Sequence, residues 1–391
     1  MTQTQTQRYV ALDVLRGMTV AGMILVNNPG SWAHIFPPLK HAPWVGCTPT
    51  DLVFPFFLFC VGVAMAFSFA KYGDALNKQS AGKLVKRGIL IFLVGTGLNL
   101  FPFYPTSPHD PSWTFGQNWV YWIQHYRVFG VLQRIAMCYI LGGFLALILK
   151  TPKKILWGIA GVTCLHWLIL YVFGTEPGWW TLEGNISGKI DIALVGENHV
   201  YHGYGIAFDP EGLLGALSGA GTVLLGYFIG QTIRHTDSKI EVVAKLFTIS
   251  AICLALGCIW SIWLPICKAL WTGSYVLYAG GWAIFCLAFF VYCIDVKGYE
   301  KPFIPFKAMG MNPLFAFVMA GLTVKILGRM IHWTMPDGKT TNCLNWFYRN
   351  CCMTVCGGDN EYASLMFALC YVALFMGMAM WLYRKKIVIK L

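Results

Sequence analysis

The twenty residues Asp51–Ala70 read DLVFPFFLFCVGVAMAFSFA and carry one charged residue, Asp51, at their first position. A bilayer core of about 30 Å is crossed by roughly 20 apolar residues in a helix. The stretch is continuously apolar rather than alternating. Only a helix, which satisfies its own backbone, can use such a run in lipid.

Nine further blocks of this kind flank it: Tyr9–Asn27, Gly88–Phe103, Val128–Leu149, Ile155–Phe173, Leu213–Ile229, Ala244–Leu264, Ser274–Ile294, Phe303–Leu327 and Ser364–Tyr383. The expected fold is therefore all-α, a polytopic integral membrane protein of about ten transmembrane helices. Residues 1–391 are expected to form one unit. Composition agrees. The chain is 57% hydrophobic and 12% charged, where a soluble domain carries about 25% charged residues.

The net charge of +12 does not point to nucleic acid, because the basic residues sit in short loops between apolar blocks. On the side of the N-terminal tail, counted from Arg8 to Lys390, lie 18 Lys and Arg. The alternate side has seven, and four fall within spans. The bias places both termini in the cytoplasm. The long loops Pro29–Thr50, Tyr104–Arg127, Gly174–Gly212 and Gly328–Ala363 then face outward, and they are rich in Trp, Gly, His and Asn. Thr2–Gln7 reads as a short polar tail rather than a cleavable signal. Most of the fourteen cysteines lie in apolar blocks, as small hydrophobes do. No paired CxxC pattern occurs, so no metal is expected. Cys343, Cys351, Cys352 and Cys356 share one outer loop, where a disulfide is conceivable.

Ionisable groups inside spans are expensive and point to function. Asp13 and Arg16, spaced i,i+3, can pair on one helix face. Gln133 and Arg134 stand in the fourth span, with Arg134 about two turns from its outer end. Arg134 suits a carboxylate or phosphate, or backbone carbonyls. The loop NNPGSWAHIFPPLKHAPWVGCTPTD (Asn27–Asp51) holds Asn27, Asn28, Trp44 and His41. Its aromatics suit a sugar or an interfacial belt. Asp51 follows Thr48 and Pro49 as a helix-capping acid would. Asp209-Pro210-Glu211 reads the same way, with Asp209 as N-cap.

Several stretches resemble the heparan-α-glucosaminide N-acetyltransferase family of transmembrane acetyltransferases and its bacterial relatives. They are LDVLRG (Leu12–Gly17), ILVN (Ile24–Asn27), KHAPWVGCTPTDLVFPFFLFCVG (Lys40–Gly62), RVFGVLQRIA (Arg127–Ala136), FDPEGLLG (Phe208–Gly215), LPICKALWTGSYV (Leu264–Val276) and GMNPL (Gly310–Leu314). The resemblance implies transfer of acetyl from cytosolic acetyl-CoA to the amine of a glucosamine-type sugar on the far side of the membrane. It also implies a homodimer, and, through the bacterial relatives, the cytoplasmic (inner) membrane. The family's histidine falls on His41 and its asparagine on Asn27. The family's luminal N-terminal domain is expected to be absent, and Pro37-Pro38 looks inserted.

On this basis His41 is the expected base or acetyl carrier, with Asn27 and Asn28 as oxyanion donors and Asp51 or Asp209 as the acid that orients its ring. Acetyl-CoA contacts are expected from Arg134, Gln133, Arg16 and Asn312, with Lys86 and Arg87 near the phosphates, where Lys307 and Arg234 are further candidates. Asn28, Trp44, Asp209, Glu211 and Arg127 are the expected sugar contacts. A transporter of amino sugars or small oligosaccharides is the competing reading. Buried polar groups would serve it equally well.

Overall fold

The structure is a computed structural model that describes residues 9–389 except 107 and 337. Arg8 and Lys390, two of the basic residues counted above, lie outside the described residues. The helices in chain order are α1 (Val10–Asn27), α2 (Pro49–Phe69), α3 (Lys78–Leu100), α4 (Phe115–Gln124), α5 (Val131–Leu149) and α6 (Pro152–Phe173). They continue with α7 (Ile186–Val195), α8 (Leu213–Arg234), α9 (Lys239–Trp260), α10 (Gly273–Phe290), α11 (Ile304–Met311) and α12 (Pro313–Lys325). The short α13 (Cys343–Phe347) and α14 (Thr354–Cys356) precede the long α15 (Glu361–Arg384). A single antiparallel hairpin pairs β1 (His332–Thr334) with β2 (Thr340–Asn342), Trp333 opposite Thr341.

Among the described residues, nine helices are long and apolar enough to cross a membrane. The chain is an all-α polytopic integral membrane protein. The tenth expected span corresponds to α3. Its first half carries Lys78, Lys83, Lys86 and Arg87, and only the part from Gly88 onward is apolar. The expected span Phe303–Leu327 is broken in two. Asn312 leaves the helical region at φ −130° and ψ 51°, because a following proline disfavours the α conformation. The expected outer loops are not structureless either, since α4, α7, the hairpin, α13 and α14 lie in them. Cys343, Cys351, Cys352 and Cys356 are free thiols.

Lipid supplies no hydrophobic drive between helices, so close backbone approach carries the packing. At the centre, α8 crosses α2 where both present glycine. A Cβ on Gly62 would stand 2.0 Å from the Val223 carbonyl oxygen, and one on Gly226 would stand 2.1 Å from that of Phe59. The α1–α11 crossing is closer still. A Cβ on Gly310 would meet the Asp13 carbonyl oxygen at 1.7 Å.

The start of α8 is held from another element. Asp191 of α7 accepts the Leu213 N–H at 2.8 Å, and Gly212 leaves room for its carboxyl. Gly212, not Asp209, is the N-cap of α8, which corrects the sequence expectation. Asp209 instead accepts the Glu211 N–H at 2.9 Å. Asp191 is fully buried, and burial raises its pKa to about 7.

Two outcomes follow for the fold. Gly310→Val is expected to lower the thermal midpoint of detergent-purified protein, with overpacking costing about 1–3 kcal/mol or more. Gly82→Ala, at a helical position with open space around it, should hold the midpoint or raise it slightly, since alanine is the better helix former. For Asp191, the native state retains a proton that the unfolded chain has lost between about pH 4 and pH 7. Native stability therefore falls as pH rises across that window. Asp191→Asn should remove this slope, seen as a thermal midpoint that gains on the parent as pH goes from 5 to 8.

Candidate functional site

The segment from Lys40 to Asp51 folds back on the first turn of α2. The Asp51 side chain accepts the Thr48 N–H at 3.1 Å, the reciprocal half of a capping box. The same oxygen, Oδ2, accepts the Ala42 N–H at 3.0 Å. Capping thus occupies one carboxylate oxygen. The other, Oδ1, lies 2.6 Å from Nδ1 of His41. A carboxylate has no proton to donate, so Nδ1 is the donor in this contact. The His41 side chain is nearly half exposed, whereas that of Asp51 is buried.

Pro55 completes this arrangement. It has no N–H, so the carbonyl of Asp51, four residues earlier, loses its helical partner. The Tyr275 hydroxyl of α10 donates to that carbonyl at 2.5 Å. The Tyr275 ring packs edge-on against Trp271, and the Arg134 guanidinium lies 5.4 Å from the Trp271 ring centre. Two aromatic rings therefore link Arg134 to the His41–Asp51 pair.

Sequence reasoning missed Lys268. Its Nζ is 3.0 Å from His41 Nδ1 and 3.4 Å from Asp51 Oδ1. The turn that carries it is tied to the histidine loop by the Gly46 N–H donating to the Ile266 carbonyl at 2.8 Å. A signal was present. Lys268 stands in an apolar block, LPICKAL, on the side of the membrane poor in basic residues.

The expected sugar contacts split into two groups. Trp44 packs against Tyr204 and Phe208 and donates Nε1–H to the Trp180 carbonyl at 2.9 Å. This joins the histidine loop to the segment before α8. Arg127, Asp209 and Glu211 form a cluster in that segment. Arg127 donates to both Asp209 oxygens, at 2.8 and 2.6 Å, and to Glu211, and its guanidinium lies 4.6 Å from the Tyr201 ring centre. The paired acids hold the Arg127 pKa above the ordinary arginine value against the effect of burial. Asn28 turns back on its own helix, donating to the Ile24 carbonyl at 2.7 Å. Asn27 ends α1 with an exposed side chain, outside the His41–Asp51 network.

The expected donor contacts do not converge. Arg134 lies in the first turn of α5, not two turns in, because the helix starts at Val131. It donates Nη2–H to the carbonyls of Pro210 and Gly212, at 3.0 and 2.8 Å. Its Nε and Nη1, and Nε2 of Gln133, are buried without a partner among the described residues. Arg16 reaches the Gly310 carbonyl at 3.3 Å and Asp13 at 3.6 Å. Asn312 is clamped by the chain after α15, donating to the Ile387 carbonyl at 3.0 Å and accepting the Ile389 N–H at 2.8 Å. Arg234 pairs with Asp74 and Lys307 with Glu300. Lys86 and Arg87 are exposed on α3, with Arg87 over the Tyr139 ring.

Among the described residues, the two roomier cavities are not lined by His41. One of 530 Å³ between α5 and α8 is apolar, lined by Met137, Ile140, Phe144, Ile190 and Leu217 among others. The other, of 300 Å³, is lined by Gln124 and the Gly196–His199 turn.

Residues 8–189 match the family model described as heparan-alpha-glucosaminide N-acetyltransferase, catalytic. That segment includes His41, Asp51, Arg127 and Arg134, and it ends before Asp209 and Lys268. The chain is 26% identical over 370 residues to the heparan-alpha-glucosaminide N-acetyltransferase of Mus musculus, covering 81% of this chain and 54% of that protein. It is 26% identical over 369 residues to the Homo sapiens protein of the same name, covering 80% and 52%. The chain thus spans about half the length of these curated relatives. The similarity to the heparan-α-glucosaminide N-acetyltransferase family thus covers residues 8–189 by the family model and about four fifths of the chain by the two relatives.

Proposed function

We propose that the chain is a transmembrane acetyltransferase. It would move acetyl from cytosolic acetyl-CoA to the amine of a glucosamine-type sugar on the outer side of the membrane. The observation that carries this reading is the 2.6 Å contact between His41 Nδ1 and Asp51 Oδ1. With the ring neutral, it leaves Nε2 as a proton acceptor on an exposed rim, in a chain similar to this family. Asp51 fixes the tautomer and steadies the positive charge that develops on the ring.

Two routes use the same atoms. In direct transfer, Nε2 removes a proton from the amine as its nitrogen attacks the thioester carbon. The C–S bond then breaks and CoA leaves as the thiolate. In the stepwise route, Nε2 attacks the thioester carbon and CoA leaves as the thiolate; the amine then attacks the acetyl-imidazole, the C–N bond to the ring breaks, and the freed Nε2 takes the proton that the amine loses. Asn27 is assigned to the developing oxyanion. Trp44, Asn28 and the Arg127–Asp209–Glu211 cluster are assigned to the sugar, with the exposed edge of Arg127 offering N–H groups to hydroxyls. Arg134 and Gln133, with their unpartnered N–H groups, are assigned to the pantetheine arm. Arg16, Asn312, Lys86 and Arg87 are assigned to the cytosolic entry. Donation from Asn312 would require the Ile387–Ile389 segment to move aside. The same proposal takes residues 1–391 as one unit, working as a homodimer in a bacterial cytoplasmic membrane with both termini inside.

The test is purified protein with labelled acetyl-CoA and glucosamine. His41→Ala and Asp51→Asn should each lower turnover by about 10²-fold or more. The His41→Ala protein should still fold, with at most a modest fall in thermal midpoint for the lost contact with buried Asp51. Unchanged turnover in His41→Ala would remove the imidazole from the mechanism. Sugar flux in proteoliposomes without acetyl-CoA would favour the transporter. In sealed inside-out vesicles, CoA added outside should protect Lys86 from amine labelling. Protection only in right-side-out vesicles would reverse the orientation.

A further inference from the structure

Lys268 has no part in the mechanism above, yet its ammonium is the nearest cation to the reacting ring. An isolated carboxylate beside an imidazole favours the imidazolium, which cannot accept a proton. Here Asp51 Oδ1 lies 2.6 Å from His41 Nδ1, and Lys268 Nζ stands beside both, 3.4 Å from that oxygen and 3.0 Å from that ring nitrogen. We propose that Lys268 is a positioning residue that neutralises Asp51 and so keeps the His41 imidazole uncharged and able to accept a proton. The proposal rests on the reading of His41 as the group that receives the proton or the acetyl.

The placement is built rather than incidental. The turn from Pro265 to Thr272 is closed by the Trp271 N–H donating to the Lys268 carbonyl at 3.0 Å. Thr272 also bonds across it, its hydroxyl accepting the Cys267 N–H at 3.1 Å and donating to the Pro265 carbonyl at 2.9 Å. Trp271 adopts φ 56°, a left-handed backbone that a bulky residue rarely takes. Strain of this sort persists only where the surroundings over-determine it, and it gathers at functional sites. Here Trp271 is buried against Phe54 and Tyr275 and donates Nε1–H to Thr222. The strained residue fixes the turn whose exit aims Lys268 at His41.

The charges that face the pair come from several elements. Lys40 and Cys47 lie on the histidine loop, Asp51 on α2, and Tyr275 on α10. Glu211 and Tyr204 lie on the segment before α8 and act on Lys268 and Asp51. Burial pushes the Cys47 thiol up to about 12, with Asp51 adding to the shift, so it stays neutral. Burial lowers the Lys268 pKa from the ordinary lysine value against the pull of Asp51 and Glu211.

The test reads the ring directly rather than through turnover. Diethyl pyrocarbonate acylates only the neutral imidazole, and peptide mass spectrometry resolves His41 from other histidines. The rate of His41 labelling is followed against pH in the full chain, for the parent, Lys268→Met and Lys268→Arg. In Lys268→Met the midpoint should rise by about one pH unit, the size expected when a neighbouring cation is removed. Lys268→Arg should keep the parental midpoint, and His34 should behave alike in all three. An unchanged midpoint in Lys268→Met overturns the proposal. So does an equal rise in Lys268→Arg, which would mean that loop geometry and not charge is responsible. A shift as expected in a protein that transfers no acetyl would leave this inference standing while removing the function on which its use depends.

Discussion

A buried carboxylate at the rim of the bundle organises this protein. Asp51 is almost wholly removed from water, and a charge so placed must have its lone pairs met from within. Ala42 and Thr48 meet one oxygen, and His41 and Lys268 gather at the other. The residue's own carbonyl, released by Pro55, is met by Tyr275. The requirement therefore draws together the histidine loop, the start of α2, the turn before α10 and α10 itself. Capping and ring orientation, which look like rival explanations of Asp51, are shared between its two oxygens.

The two ends of the bundle treat their polar groups differently. At the His41 end, Nε2 of the ring is left exposed, and Arg134 keeps unpartnered N–H groups beneath it. At the opposite end, several polar groups are paired within the protein. Arg16 serves Gly310, Arg234 serves Asp74, and the Asn312 amide is occupied by the backbone after α15. An isolated charged group in lipid is costly, so pairing within the protein is the expected resting arrangement. A donor entering from that end must replace these partners one for one, which sets a stereochemical condition on its entry.

The sequence by itself determined the helices, because a continuous apolar run in lipid has one way to satisfy its backbone. It also carried the candidacy of His41 and Asp51, whose contact is local enough to be read from a loop and a capping pattern. The break at Asn312 was equally written in the Asn-Pro pair, though the apolar character of Phe303–Leu327 hid it. Only the tertiary structure decided which distant groups meet. Lys268 reaches His41 across 227 residues, Asp191 of α7 accepts the first N–H of α8, and Tyr275 answers a carbonyl that a proline freed elsewhere. Each of these partners is chosen by which backbone passes near an unsatisfied polar atom. That depends on how glycine-lined helices cross, and periodicity along one chain does not encode it.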